Sequence, residues 1–204
     1  MTLHRLASVL AAAIWLVTAT GCGDDAPREL AGVQRMPLPR VAGVTLPDVA
    51  HGGEAFDFVA PDGGLLIVYF GYTHCPDVCP TTLSDIRSAL GKIDGDRAER
   101  VALAFATVDP DRDDADLVTG YVQSFVPDAA ALRTNDAEEL AAAADAFGAV
   151  YDVSTNDAGE IDVVHSGFTY VVDDDGHLLV TWPFGVPADD IAGDLDLLFD
   201  EQAA

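Results

Sequence analysis

Leu65-Leu66-Ile67-Val68-Tyr69-Phe70-Gly71-Tyr72-Thr73-His74-Cys75-Pro76-Asp77-Val78-Cys79-Pro80-Thr81-Thr82-Leu83 reads as a buried strand, a loop and the start of a helix. Residues 65–70 are apolar without alternation and are bounded by Gly63-Gly64 and Gly71, as in a central strand covered on both faces. Pro80 suits a first helical turn, and Leu83, Ile86, Leu90 and Ile93 mark one face of a helix from about Thr81. Cys75 and Cys79, in the connection, are spaced so that both can lie on one helical face. A distant imidazole, with His165 as the candidate, would complete an S₂N set suited to a soft metal or to redox chemistry.

Outward from this stretch, short extended pieces are expected at Val44–Leu46 and Phe56–Val59. A second buried strand is expected at Val101–Val108, a helix at Asp113–Phe125, a strand at Ala131–Arg133 and a helix at Asp136–Phe147. Phe168–Val172 and Leu178–Trp182 alternate around Asp173-Asp174-Asp175-Gly176, a hairpin signal, and a last helix begins near Ala188. Helix crossovers between the early strands and an antiparallel hairpin at the end give an α/β, thioredoxin-like layout: a central mixed sheet flanked by helices, with a C-terminal β-hairpin and helix.

A thiolate is both nucleophile and metal ligand, so the positive end of the helix near Pro80 is expected to favour the charged form of Cys79, and to a lesser degree that of Cys75. General dithiol oxidoreductases use Cys-x-x-Cys; the wider spacing here lets two thiolates converge on one ion. Copper suits two sulfurs and an imidazole, and zinc is the rival, although a closed structural zinc site takes four ligands. A structural disulfide gains by closing a long loop, and this pair closes almost none.

The N-terminus carries Arg5, an apolar run Leu6–Val17 and small residues up to Gly21-Cys22. The run is too short for a bilayer-spanning helix and suits a signal-peptide core. The Gly21-Cys22 junction resembles a bacterial lipobox, with Ala19 where Leu is preferred, which implies lipidation of Cys22 and a membrane-anchored, extracytoplasmic domain. An uncleaved membrane anchor is the alternative. The expected division is a lipoprotein signal peptide at 1–21, a proline-containing tether at 22–40 and one domain at 41–204. With 35 acidic against 10 basic residues and a net charge of −25, the surface repels nucleic acid, so DNA and RNA are excluded as partners.

Three motifs in order, FGYTHCPDVCPTTL (Phe70–Leu83), VDPDRD (Val108–Asp113) and VVHSGFTYVVDDDG (Val163–Gly176), resemble the Sco/SenC family of copper-binding thioredoxin-like proteins over about Val44–Asp200. The resemblance implies that Cys75, Cys79 and His165 bind one copper ion, as Cu(I) or Cu(II). It also implies delivery of copper to the binuclear CuA centre of cytochrome c oxidase, or reduction of that centre's cysteines, with the CuA-bearing subunit and a thiol-disulfide reductant as partners. An extracytoplasmic thiol-disulfide oxidoreductase, with Cys75 and Cys79 as its redox-active pair and no obligatory metal, is the alternative. His165 separates the two readings, since thiol exchange does not require it. A peroxidase is disfavoured by the lack of the proline that precedes a peroxiredoxin loop. Tyr72 is expected to line the site, Tyr69 and Phe70 to be core, and His74 to face solvent or tune the cysteines. Asp77 and Asp109 are read either as partners of the ligands or as loop-solvating acids.

Overall fold

A computed structural model describes residues 29–203. The signal segment, Cys22 and the first part of the tether lie outside the described residues. The uninterrupted apolar stretch is strand β3 (Leu65–Gly71), buried at every position. Its odd-numbered side chains Leu65, Ile67 and Tyr69 enter one core cluster, and the even-numbered Leu66, Val68 and Phe70 enter another. Two filled faces explain why this strand shows no polar alternation.

Chain order runs through β1 (Thr45–Asp48), β2 (Glu54–Asp57), β3, α1 (Val78–Leu90), the short α2 (Gly95–Ala98), β4 (Val101–Thr107), α3 (Ala115–Gln123), β5 (Ala130–Leu132) and α4 (Ala137–Phe147). It continues through β6 (Tyr151–Thr155), β7 (Ile161–His165), β8 (Thr169–Val172), β9 (Leu178–Trp182) and α5 (Ala188–Gln202). Seven strands form one sheet in the order β2-β1-β5-β4-β3-β8-β9. β4 lies parallel to β3 and β5, whereas β8 and β9 are antiparallel to their neighbours, so the sheet is mixed. Side chains of α1, α3 and α5 fill one core, and those of α4 fill the other. The α/β thioredoxin-like layout is therefore the observed one. No helix among the described residues is long and apolar enough to cross a membrane.

Two local expectations change. Helix α1 begins at Val78 rather than near Thr81, which brings Cys79 and Pro80 inside its first turn. A proline is tolerated there because the first-turn N–H groups have no helical acceptor. The second change concerns the stretch expected to be a tether: from residue 29 it is an arm seated on β9, the sheet edge. Val33 bridges Thr181 and Arg40 bridges His177, both antiparallel. The Leu178 N–H donates to the Pro39 carbonyl at 2.8 Å and the Val41 N–H to the Gly176 carbonyl at 2.8 Å. The edge is thereby covered rather than left open to pairing with another chain.

A buried carboxylate holds the arm. Asp194 of α5 accepts from the N–H groups of Ala31 at 2.8 Å and Gly32 at 3.0 Å, and from Trp182 Nε1 at 2.8 Å. Gly32 is required at this crossing: a Cβ would stand 2.3 Å from Val180 and 2.6 Å from Trp182. Asp194→Ala would strand three donors, each costing about 1–3 kcal/mol when buried without a partner. We expect urea unfolding to report a loss of roughly 3 kcal/mol or more, with Trp182 becoming accessible to an aqueous quencher.

Candidate metal centre

The chain leaves β3 at Gly71 and turns through residues 72–77 into α1. Thr73 fixes this loop, because its N–H and hydroxyl both donate to the Asp113 carboxylate, at 3.0 and 2.5 Å. Thr107, the last residue of β4, donates to the same carboxylate at 2.6 Å. Asp113 has no exposed surface, and these donors compensate the desolvation of its charge.

The loop presents Cys75 at the mouth of the site and the first turn of α1 presents Cys79 beneath it. The Cys79 N–H donates to Cys75 Sγ at 3.2 Å. Asp77 is the N-cap residue but makes no side-chain cap bond, so the sulfur of Cys75 occupies the place that a capping oxygen would take. Both thiols are free.

His165 ends β7 and arrives from the opposite side. The β6–β7 hairpin is a separate two-stranded sheet whose register sets His165 opposite Tyr151. His165 Nε2 lies 3.5 Å from Cys79 Sγ, while Nδ1 lies 3.2 Å from the Ser166 carbonyl. A carbonyl can only accept, so Nδ1 carries the proton and Nε2 turns a lone pair toward the sulfurs. Burial lowers the His165 pKa from its ordinary value, which keeps the ring neutral near pH 7. The rings of Tyr69 and Tyr72 meet it edge-on, at centroid distances of 6.0 and 5.7 Å.

One ligand atom from each of Cys75, Cys79 and His165 lies within 4.8 Å of the other two. With metal–sulfur and metal–nitrogen bonds of about 2.3 and 2.0 Å, a trigonal ion separates its donors by roughly 3.7–4.0 Å. Small side-chain adjustments would therefore admit one. An open groove, lined in part by Tyr72, Cys75, Val78, Val163, His165 and Phe184, reaches two of the three donors from solvent, and Cys79 lies buried behind them.

The SCO1/SenC family model matches residues 48–200. The chain belongs to the SCO1/SenC family. A SCO2-like protein of Rickettsia prowazekii is 30% identical over 145 residues, 70% of each chain. Apo Sco1 of Thermus thermophilus aligns with a TM-score of 0.73 at 30% identity, covering 85% of this chain and 99% of that one. Copper-bound ScoI of Bradyrhizobium japonicum aligns with a TM-score of 0.64 at 29% identity, covering 77% of this chain and 98% of that one.

The helix terminus does not favour the Cys79 thiolate in the way the sequence suggests. Cys79 is completely buried, and loss of solvent pushes its thiol up to about 12, outweighing the favourable end of α1. Tyr69, expected to be core only, is both core and site: its hydroxyl donates to Cys79 Sγ at 3.6 Å. Burial raises its own pKa, so it remains a donor. Gly71 makes room for this arrangement, since a Cβ there would stand 3.0 Å from Cys79 Sγ, Phe105 and Tyr69.

The remaining candidates separate cleanly. His74 is turned away, with Nδ1 3.4 Å from Asp113 and half its side chain exposed. Asp77 is exposed and lines the groove. Asp109 is buried and pairs with Arg112 at 2.5 Å. Arg112 in turn sits 5.9 Å over the Tyr72 ring, so Asp109 reaches the imidazole only through Arg112 and Tyr72. Asp113 is the functional residue that sequence reasoning misses, although it closes the VDPDRD motif.

The complete burial of Cys79 and its raised pKa set the two thiols apart. Brief treatment of the reduced, metal-free protein with iodoacetamide at pH 8 should modify Cys75 at least about tenfold faster than Cys79, because thiolate fraction and access set the rate. Peptide mass spectrometry would read the ratio, and equal labelling would contradict the geometry.

Proposed function

We propose that this chain is a copper carrier in which Cys75, Cys79 and His165 hold one copper ion and release it to the CuA-bearing subunit of cytochrome c oxidase. The observation that carries this reading is the convergence of two thiols and a neutral, correctly presented imidazole nitrogen at the end of an open groove. Two soft sulfurs and one nitrogen favour copper over hard cations, and three ligands leave one side free for a receiving ligand. Copper bound in the relative from Bradyrhizobium japonicum supports the same assignment. The three donors differ in what they contribute. Cys75, largely buried, offers the sulfur that borders the groove, Cys79 a fixed one below, and His165 closes the set from a different element.

A second reading uses the same pair without metal. Cys75 at the mouth attacks a disulfide of the receiving subunit, one partner sulfur leaves as thiolate, and a mixed disulfide forms. Cys79 then attacks Cys75 in that mixed disulfide, so the partner leaves as a dithiol and Cys75–Cys79 becomes a disulfide. A thiol-disulfide reductant must restore the pair. The free thiols and the contact from Cys75 Sγ to the Cys79 N–H favour this order of attack. Under both readings the protein works outside the cytoplasm, lipid-anchored through Cys22 on the outer face of the membrane.

Copper(I) competition with a chelator distinguishes the readings. Reduced protein should bind one equivalent, and protein carrying a Cys75–Cys79 disulfide should bind none. His165→Ala should weaken binding at least tenfold, about 1.4 kcal/mol, while exchange with a small disulfide changes far less. Retention of wild-type copper affinity with loss of exchange would replace the carrier reading by the oxidoreductase one. Loading must displace the proton of Cys79, whose pKa is raised to about 12. Copper affinity should therefore rise across neutrality by about a decade per pH unit or more, once the chelator's own protonation is subtracted.

Anchoring has its own test. Cys22→Ala should release the protein from membranes or block its processing, because a diacylated cysteine supplies the affinity that a single chain lacks. An unmodified N-terminus beyond residue 22 in the mature protein would contradict it.

A further inference from the structure

A second cavity, of about 260 Å³, lies where the arm crosses the end of α4 and strands β8 and β9. None of the three metal-ligand candidates lines it. Val33 and Arg35 come from the arm, Phe147 from α4, Phe168 and Tyr170 from the β8 region and Thr181 from β9. Most of the wall is apolar, and Val33 and Phe168 remain substantially exposed at its rim, at 59% and 39%.

Three polar groups stand around this cavity, two hydroxyls without a hydrogen-bond partner and a guanidinium without a carboxylate. The hydroxyls of Tyr170 and Thr181 are buried and have no hydrogen-bond partner. Buried hydroxyls are normally satisfied, so two in one cavity wall call for an acceptor from elsewhere. Arg35 is the third. Its guanidinium donates at 2.8 Å to the Phe147 carbonyl, at the C-terminus of α4, and has no carboxylate partner among the described residues. Lys92, Arg97 and Arg112 each pair with an aspartate. Arg40, Arg87, Arg100 and Arg133 likewise have no carboxylate partner among the described residues, but of these arginines only Arg35 lines the cavity, where its guanidinium can take an anion.

We propose that this cavity binds a small apolar carboxylate. An aryl or alkyl body fits among Val33, Phe147 and Phe168, where it covers apolar surface that the fold leaves open. The carboxylate pairs with Arg35, whose fork of N–H donors matches two oxygens, and accepts from the hydroxyls in the wall. A phosphate ester fits less well, since its higher charge would be desolvated against apolar walls with one cation to balance it. The assignment is independent of the copper reading, because it uses neither cysteine and no metal.

The test is a titration of the reduced full chain in detergent micelles with 3-phenylpropionate, and in parallel with the uncharged 3-phenylpropionamide, followed by backbone amide NMR. The acid should give saturable shifts at Arg35, Gly148, Phe168 and Thr181, and should bind at least roughly tenfold more tightly than the amide. Arg35→Gln should abolish that preference while leaving the remaining spectrum and the thermal midpoint unchanged. Thr181→Val, which keeps the side-chain shape, should weaken the acid without touching the Arg35 pairing. Absence of saturable shifts at these residues, equal binding of acid and amide, or an unchanged preference in Arg35→Gln would each overturn the proposal.

Discussion

A carboxylate with no exposed surface, Asp113, governs where the cysteines can be. It gathers the Thr73 N–H, the Thr73 hydroxyl and the Thr107 hydroxyl, tying the loop after β3 to the end of the parallel neighbour β4. A buried charge is stable only while its donors stay in place, so the loop acquires one geometry and the first turn of α1 follows it. Arg133 adds to this by donating to the Asp113 main-chain carbonyl at 2.6 Å. The sulfur positions are thus set by a strand, a helix start and a buried acid whose own oxygens stay out of the donor set.

The two sulfurs then differ by depth. One is at the groove mouth and accepts an N–H from the first turn of α1; the other is sealed under Gly71 and beside Tyr69. In the metal-free protein, burial favours the neutral thiol below, which limits oxidation there. A soft cation reverses that preference by supplying the missing charge at close range. The same dry pocket that suppresses the free thiolate can therefore hold it firmly once it is coordinated.

Much of this is legible from residue order. β3 announces itself by an apolar run bounded by glycines, β8 and β9 by alternation around Asp173–Gly176, and the cysteine pair by its place between strand and helix. The β6–β7 hairpin that delivers His165 is not among the expected elements, although Tyr151, Val153 and Thr155, then Asn156-Asp157-Ala158-Gly159, then Ile161 and Val163 carry a period-two signal around a turn. Its side chains are mostly exposed, so it lacks the hydrophobic density that marks the main sheet. The charge state of Cys79 and the roles of Tyr69 and Asp113 depend on burial and on contacts across the sheet, which local sequence does not encode. The arm escapes a local reading for a related reason: a proline-containing segment without periodicity can still pair at an edge when a distant acid such as Asp194 receives its N–H groups.

That docked arm sets a leash length. Had the segment from residue 22 to residue 40 been a free linker, its contour would have allowed an excursion of roughly 60 Å from a lipid at Cys22. Because the chain is fastened to β9 and α5 from residue 31 onward, only about nine residues separate the proposed anchor from the folded body, a contour of roughly 30 Å. The domain would then ride close to the bilayer, and under the proposed carrier role a receiving partner would have to offer its own site within that narrow layer above the headgroups.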